Sequence, residues 1–317
     1  MKTMLVTGGA GFIGSHLCDV LLTLGHNVIA LDNLYLGCRE NVFLAEKNPN
    51  FKFIKADILD DAALEKVFNN HRFDTVFHLA ANSDIARSSS DTSVDLNLTF
   101  MTTYRVLDAM RAHGVKKIVF SSTSAIYGQT GGKAVAEEYG PLLPASHYGA
   151  GKLASEGFIA SFVENYGFKA WITRFPNVCG ERTTHGILHD FIAKLRANPN
   201  QLEVLGDGTQ AKPYLYVKDL VEAILFVCDN VDDKINVFNI GTEGQTLVSD
   251  IARMVIDSMG FSTKICYTGG DRGWVGDVPK FAYNLDKIHS LGWRATNTSD
   301  QAVQHAINAM LSTEMAK

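Results

Sequence analysis

Tyr148 and Lys152 stand four positions apart in the run Tyr148-Gly-Ala-Gly-Lys152. On a helix, residues at i and i+4 share a face. An ammonium beside a phenol favours the phenolate and lowers the tyrosine pKa towards the working pH. Such a pair can take a proton from a substrate hydroxyl and give it back. In isolation the spacing is common by chance, and an exposed helix pair is the better reading of it. The context upstream decides the matter. Ser121-Ser-Thr-Ser124 closes the apolar run that starts at Lys117, so hydroxyls stand at the carboxyl end of a strand, where α/β proteins bind their ligands.

A second constellation lies at the amino end. Gly8, Gly11 and Gly14 in Thr7-Gly-Gly-Ala-Gly-Phe-Ile-Gly14 follow a short apolar strand and open a helix. Glycine permits the tight turn, lets backbone approach a pyrophosphate, and lets helix and strand pack closely. The helix start at Gly11, Phe12, Ile13 and Gly14 then offers free N–H groups and a positive dipole end to phosphates. Asp32, followed by Asn33, ends the second strand, where a carboxylate accepts hydrogen bonds from ribose hydroxyls and repels an added 2′-phosphate. The expected cofactor is therefore NAD rather than NADP, with Lys152 also within reach of the nicotinamide ribose. Asp57-Ile58 after the third strand fits an adenine contact, although an Asp there serves equally as a helix cap.

These residues need a scaffold, and the hydrophobic pattern supplies one. Strands are expected at Met4–Thr7, Asn27–Asp32, Phe51–Asp57, Thr75–Ala80, Lys117–Ser122 and Ala170–Phe175. Between them fall helical patterns at Gly14–Leu24, Asp60–Asn69, Leu98–His113 and around Tyr148–Lys152. This alternation predicts an α/β fold: a Rossmann-type doubly wound parallel sheet with a smaller C-terminal α/β lobe for substrate. The division expected is 1–176 for dinucleotide binding, with a returning strand near 237–240, and 177–317 mainly for substrate.

The chain of 317 residues carries 29 Lys and Arg against 34 Asp and Glu, a net charge of −5 that argues against a nucleic-acid partner. Five scattered cysteines without a CxxC pair suit free thiols in a reducing compartment and suggest no zinc site. With no signal-like or membrane-spanning apolar run, the expected setting is the cytoplasm, with no membrane partner.

Taken together, the motifs resemble the extended short-chain dehydrogenases/reductases of the nucleotide-sugar epimerase/dehydratase group, typified by UDP-galactose 4-epimerase. The resemblance rests on Thr7–Gly14, Asp32-Asn33, Asp57-Ile58, His78-Leu-Ala-Ala81, Ser121–Gly128, Tyr148–Lys152, Arg174–Gly180 and Gly206–Asp219, nearly the whole chain. It implies that Leu79, Ala80, Ala81, Ser121 and Phe175 join the cofactor site. It implies Thr123, with Ser124 as the close alternative, as the hydroxyl that works beside Tyr148 and Lys152. Dehydratases of the group place a Glu three residues before the Gly of their Tyr-Gly pair, as the base that removes the C5 proton. Here Ala125 occupies that position in Ser122-Thr-Ser-Ala-Ile-Tyr-Gly128, and an alanine takes no proton.

The activity implied is therefore NAD-dependent 4-epimerisation of a nucleotide-diphosphate sugar, through a 4-keto intermediate that is re-reduced on its other face. A nucleotide-sugar 4-dehydrogenase or 4-keto reductase, using the same pair with net redox, is the alternative. A non-catalytic NAD-binding scaffold is a third reading. Substrate contacts are expected at Asn82, Ser83, Thr123, Ser124, Asn177, Arg182, Lys212, Tyr214, Arg272 and Asp277. Three departures fall in this region. Lys212 stands where many relatives carry arginine and loses its bidentate fork for phosphate; Thr99 replaces a common asparagine, and Cys179 a tyrosine. The resemblance also implies a homodimer, formed through helices over Leu98–His113 and Leu153–Tyr166.

Overall fold

The structure is a computed structural model that describes residues 1–84, 90–273 and 278–315. The expected alternation is present. In order come β1 (Thr3–Thr7), α1 (Phe12–Thr23), β2 (Asn27–Asp32), β3 (Phe51–Lys55), α2 (Asp61–Asn70) and β4 (Thr75–His78). Then follow α3 (Ser93–Asp95), a π-helical turn over Leu96–Met101, α4 (Thr102–Ala112), β5 (Lys117–Thr123), β6 (Ala134–Val135), α5 (His147–Tyr166) and β7 (Lys169–Phe175). The remainder holds β8 (Asn177–Cys179), α6 (Ile187–Ala197), β9 (Gln201–Val204), β10 (Ala211–Lys212), β11 (Tyr214–Tyr216), α7 (Val217–Asn230) and β12 (Ile235–Asn239). It ends with β13 (Thr246–Leu247), α8 (Val248–Ser258), β14 (Lys264–Tyr267), β15 (Ala282–Tyr283), α9 (Asp286–Ser290) and α10 (Ser299–Met315).

Seven parallel strands form the central sheet in the order β12-β7-β5-β4-β1-β2-β3. The strand order reverses between β1 and β4, and ligands of open parallel sheets bind in the crevice beyond the strand ends at such a switch point. The central strands are buried on both faces and read as apolar runs: Leu5, Val6, Val28, Ala30, Ile118 and Ala170 are all fully buried. One apolar cluster packs α1 and α7 on the sheet through Leu17, Leu21, Leu220 and Ile224. On the other face Leu64, Val67, Leu107, Met110, Ile159 and Val163 bring α2, α4 and α5 against it.

The returning strand expected near 237–240 is β12, and its register on β7 pairs Asn239 with Arg174. A separate cluster gathers α6, α8, α10, β9 and β11 around Leu195, Leu202, Val255 and Ile307. This smaller unit is tied together by short strand pairs, β8 with β11, β10 with β13 and β9 with β14.

Candidate active site

The proton-handling pair sits at the start of α5. Ser146 caps that helix by accepting from the Gly149 N–H at 3.1 Å, and the chain leaves it at Gly167 in the left-handed region, φ 66°. Gly149 is required by close approach: a Cβ there would stand 2.7 Å from the Ala125 carbonyl oxygen. The helix start is thereby seated directly on the turn that follows β5. Thr123 hydrogen-bonds the Tyr148 phenol and also accepts from the Ala125 N–H at 3.2 Å. Lys152, 2 % exposed, donates from Nζ to the Ser121 carbonyl oxygen at 2.7 Å, with Ser121 Oγ 3.4 Å away. Its ammonium lies 5.9 Å from the Tyr148 ring centroid. The structure thus brings Ser121, Thr123, Tyr148 and Lys152 together.

Their electrostatics differ from the expectation for the tyrosine. Burial pushes the Tyr148 phenol upward; the Thr123 hydrogen bond opposes this and the Asp95 charge adds to it. Desolvation of the phenolate outweighs the help of the neighbouring side chains, because Lys152 spends its shortest hydrogen bond on the Ser121 carbonyl. The lysine itself is pushed down to about 7 by burial, with Asp95 and Glu156 holding it up.

Several supporting groups are ones that the sequence does not single out. Glu156 lies one turn beyond Lys152 and is doubly bonded by Arg174, Nε to Oε1 at 3.0 Å and Nη2 to Oε2 at 2.7 Å. Ser122, beside Thr123, donates to the same carboxylate at 2.5 Å. Arg174 Nη1 continues to the Tyr127 hydroxyl at 2.9 Å, which donates to Asn239 at 2.7 Å. One buried network therefore pins the catalytic helix to the ends of β5, β7 and β12. The i+4 spacing from Lys152 to Glu156 is the one local signal; the partners come from distant strands. His78 is fully buried between Thr7 Oγ1 at 2.7 Å and Thr103 Oγ1 at 3.1 Å. Burial and the Lys152 charge hold it down to about 3, so it is a neutral strut between β4, β1 and α4.

The glycine turn fits a dinucleotide. A Cβ at Gly14 would stand 2.1 Å from the Gly8 carbonyl oxygen, so no other residue closes this turn. The first turn of α1 has no capping side chain and no acidic residue, leaving its N–H groups for an anion. Asp32, 9 % exposed, accepts from the Ala10 N–H at 3.1 Å and the Leu34 N–H at 2.8 Å. Burial raises its pKa while these bonds and one from Gly11 oppose the rise. Asp57 accepts from Asn33 Nδ2 at 3.0 Å and from the Leu59 N–H at 2.8 Å. The cap of α2 is Asp60. Ile58 and Phe175 are buried, and Leu79, Ala80 and Ala81 are half-buried at the end of β4.

The expected substrate residues divide. Ser83 and Asn177 are exposed and Ser124 is half-buried. Lys212 lies on β10 opposite Thr246, and Arg272 is exposed in a segment docked on the turn at Gly206. Asn82 is fully buried, its Nδ2 donating to the Asp84 carbonyl oxygen at 3.0 Å and Asp95 Oδ1 at 3.1 Å. Tyr214 is 5 % exposed and lies in the apolar cluster of the smaller unit. Arg182 is paired through one end of its guanidinium with Asp19 on α1 at 2.8 Å. Asp277 lies outside the described residues.

A Rossmann sheet, a glycine cradle at its switch point and a clustered Thr–Tyr–Lys set define a dinucleotide-dependent enzyme that moves a hydride and a proton. The profile of the NAD dependent epimerase/dehydratase family matches residues 4–241, and the chain belongs to that family. It is 33% identical over 312 residues to a putative UDP-glucose 4-epimerase of Methanocaldococcus jannaschii, covering 97% of this chain and 98% of the relative. Among solved structures it is similar to a UDP-galactose 4-epimerase, with TM-score 0.88, 38% identity and 99% of each chain covered. It is also similar to the UDP-glucose 4-epimerase of Thermus thermophilus in complex with NAD, with TM-score 0.86, 30% identity, and 97% of this chain and 98% of that one covered.

Proposed function

We propose that the chain is a nucleotide-sugar 4-epimerase that retains NAD, with a UDP-hexose as the first substrate class to test. The observation that carries this reading is the Thr123–Tyr148–Lys152 set beside Ala125, where a dehydratase needs an acid–base carboxylate. Gly8–Gly14 and Asp32 would hold the dinucleotide, with Lys152 reaching its nicotinamide ribose. Bound there, NAD supplies a hydride acceptor that returns the hydride, and in its oxidised form a positive charge on the nicotinamide ring.

The protein's own part is proton transfer and orientation. Thr123 fixes the oxygen of the sugar 4-hydroxyl, and Tyr148, as phenolate, takes its proton. The 4-keto sugar presents its other face, and Tyr148 returns the proton to the oxygen at the new configuration. Asn177, Lys212 and Arg272 are the groups proposed to grip the diphosphate. Residues 1–176 with β12 would serve the cofactor, and the rest mainly the sugar nucleotide.

No helix among the described residues is long and apolar enough to cross a membrane. All five cysteines are free thiols, which supports a reducing, cytoplasmic setting. Exposed Leu96 and Phe158, with Phe100 packed edge-on to Phe158 at 5.0 Å, support a homodimer built on α4 and α5.

Mass spectrometry of ligands released from denatured protein, followed by a panel of UDP-, GDP-, CDP- and dTDP-sugars without added cofactor, tests the reading. NAD in the released fraction and a 4-epimer as product are expected. No product from any sugar would sink it. Stoichiometric change in nicotinamide absorbance would select the net oxidoreductase.

A further inference from the structure

Asp95 is 1 % exposed, and its two carboxylate oxygens are treated differently. Oδ1 accepts from Asn82 Nδ2 at 3.1 Å and from Thr99 Oγ1 at 3.0 Å. Oδ2 is buried with no hydrogen-bond partner among the described residues. Leaving a buried carboxylate oxygen unanswered is expensive unless a cation lies close enough to compensate. The residue sits where α3 passes into the π-helical turn Leu96–Met101, and that turn is pressed against the catalytic helix. A Cβ at Gly151 would stand 3.3 Å from the Asp95 carbonyl oxygen and 3.2 Å from Thr99 Cγ2. Gly151 falls between Tyr148 and Lys152, so the fold sets the Asp95 backbone against the segment of α5 that carries the reacting pair.

We propose that Asp95 is a positioning residue for the reaction, the counter-charge that keeps Lys152 an ammonium inside a site shielded from water. The proposal rests on the epimerase reading only in assigning the proton transfer to Tyr148 and Lys152. The other described groups that face Lys152 do not fill this role. On its own helix, Glu156 is spent on Arg174 and Ser122, and Tyr148 is the acid–base itself. From β5, Ser121 offers neutral oxygens, and from β4, His78 is held neutral between two threonine hydroxyls. Among the described residues, Asp95 is the one negative charge in this layer not already matched by an arginine. Its charge acts on both partners in one direction, favouring protonated Lys152 and opposing ionised Tyr148.

The shared direction makes a test. Activity requires Tyr148 ionised and Lys152 protonated, so the two groups together set the acid and alkaline limbs of the pH profile. Asp95→Asn keeps an oxygen for Asn82 and Thr99 and replaces the unpartnered oxygen with an amide, so the charge goes and both hydrogen bonds stay. In the NAD-loaded enzyme both limbs of kcat are expected to move to lower pH, each by about one unit. The control Thr99→Val removes a hydrogen bond to the same carboxylate and leaves its charge, so both limbs stay. Loss of kcat in Asp95→Asn with unmoved limbs would overturn the proposal and leave Asp95 a structural brace.

A second readout does not need turnover. In protein labelled with carbon-13 lysine, the Lys152 resonance, assigned by its loss in Lys152→Met, should titrate at or above about 7 in the wild type. It should titrate lower in Asp95→Asn. If that variant does not fold, a wild-type midpoint below about 6 overturns the proposal, since burial would then act on the lysine without a counter-charge. Failure of every nucleotide sugar as substrate refutes the epimerase reading, while the lysine titration still decides the role of Asp95.

Discussion

The Tyr148 hydroxyl is hydrogen-bonded by Thr123 and buried in a way that disfavours its ionised form. In the proposed reaction the base must be a phenolate, and these surroundings favour its protonated form. Tyr148→Phe removes the proton acceptor and little else, because the ring keeps its packing. It should lower kcat by about 10²–10⁴-fold, with the NAD released per chain unchanged; loss of NAD in step with activity would show that the ring holds the cofactor instead.

Lys152 makes a prediction about stability. Its pKa falls from the ordinary 10.5 to about 7 on folding. Between those values the unfolded chain carries a proton that the folded one has shed, so stability owed to this group rises with pH across that window. Below about 7 the full cost of the buried ammonium is present. Lys152→Met should therefore change the Tm of cofactor-free protein more favourably at pH 6 than at pH 9, by several degrees. An equal change at both pH values would mean that the lysine is not desolvated as the structure places it.

At the level of elements, the buried network on α5 explains why the site needs strands so far apart in the chain. Glu156 and Arg174 are both nearly inaccessible and doubly bonded, so removing one partner strands the other charge in a low-dielectric interior. Arg174→Met should destabilise the fold by about 3–5 kcal/mol, read from urea unfolding. Combining it with Glu156→Gln should restore part of that loss, and a purely additive pair would show the two groups to be uncoupled.

Sheet strands were legible because two-faced burial writes apolar runs between glycine turns, and Asn27–Asp32 is found with the expected bounds. The glycine turn and the Tyr–Lys spacing were legible for the same local reason. The π-helical turn was not. Its pairing depends on Thr99, Thr102 and Thr103 bonding back into the helix, which leaves no distinct period in the sequence. Asp95 with Asn82, and Glu156 with Arg174, are joined only by the fold, and no spacing along the chain announces them. The burial of Tyr214 was not legible, because alternation along a strand as short as β11 does not say which face meets the core.

For the whole molecule, the consequential surface is the outer face of α4 and α5. Phe158 is 41% exposed, yet it packs edge-on to Phe100 at 5.0 Å and Tyr104 at 6.1 Å. With Leu96 also exposed, at 55%, on the adjoining π-helical turn, this is an apolar aromatic patch of the kind that marks an interface rather than a solvated helix face. A two-fold axis over it would pair α4 and α5 with their mates in a four-helix contact, with each patch serving both partners. Leu96 directly follows Asp95, so the same contact would brace the π-helical turn that carries the proposed counter-charge. Covering the patch and holding the site would then be one structural act. Phe158→Glu places a charge at its centre. Light scattering should find the wild type at twice the 34.7 kDa of one chain and the variant at a single chain. The variant should keep NAD but turn over more slowly, with activity per chain that no longer falls on dilution. A wild type that scatters as one chain at every concentration would remove the dimer and leave the patch to another partner.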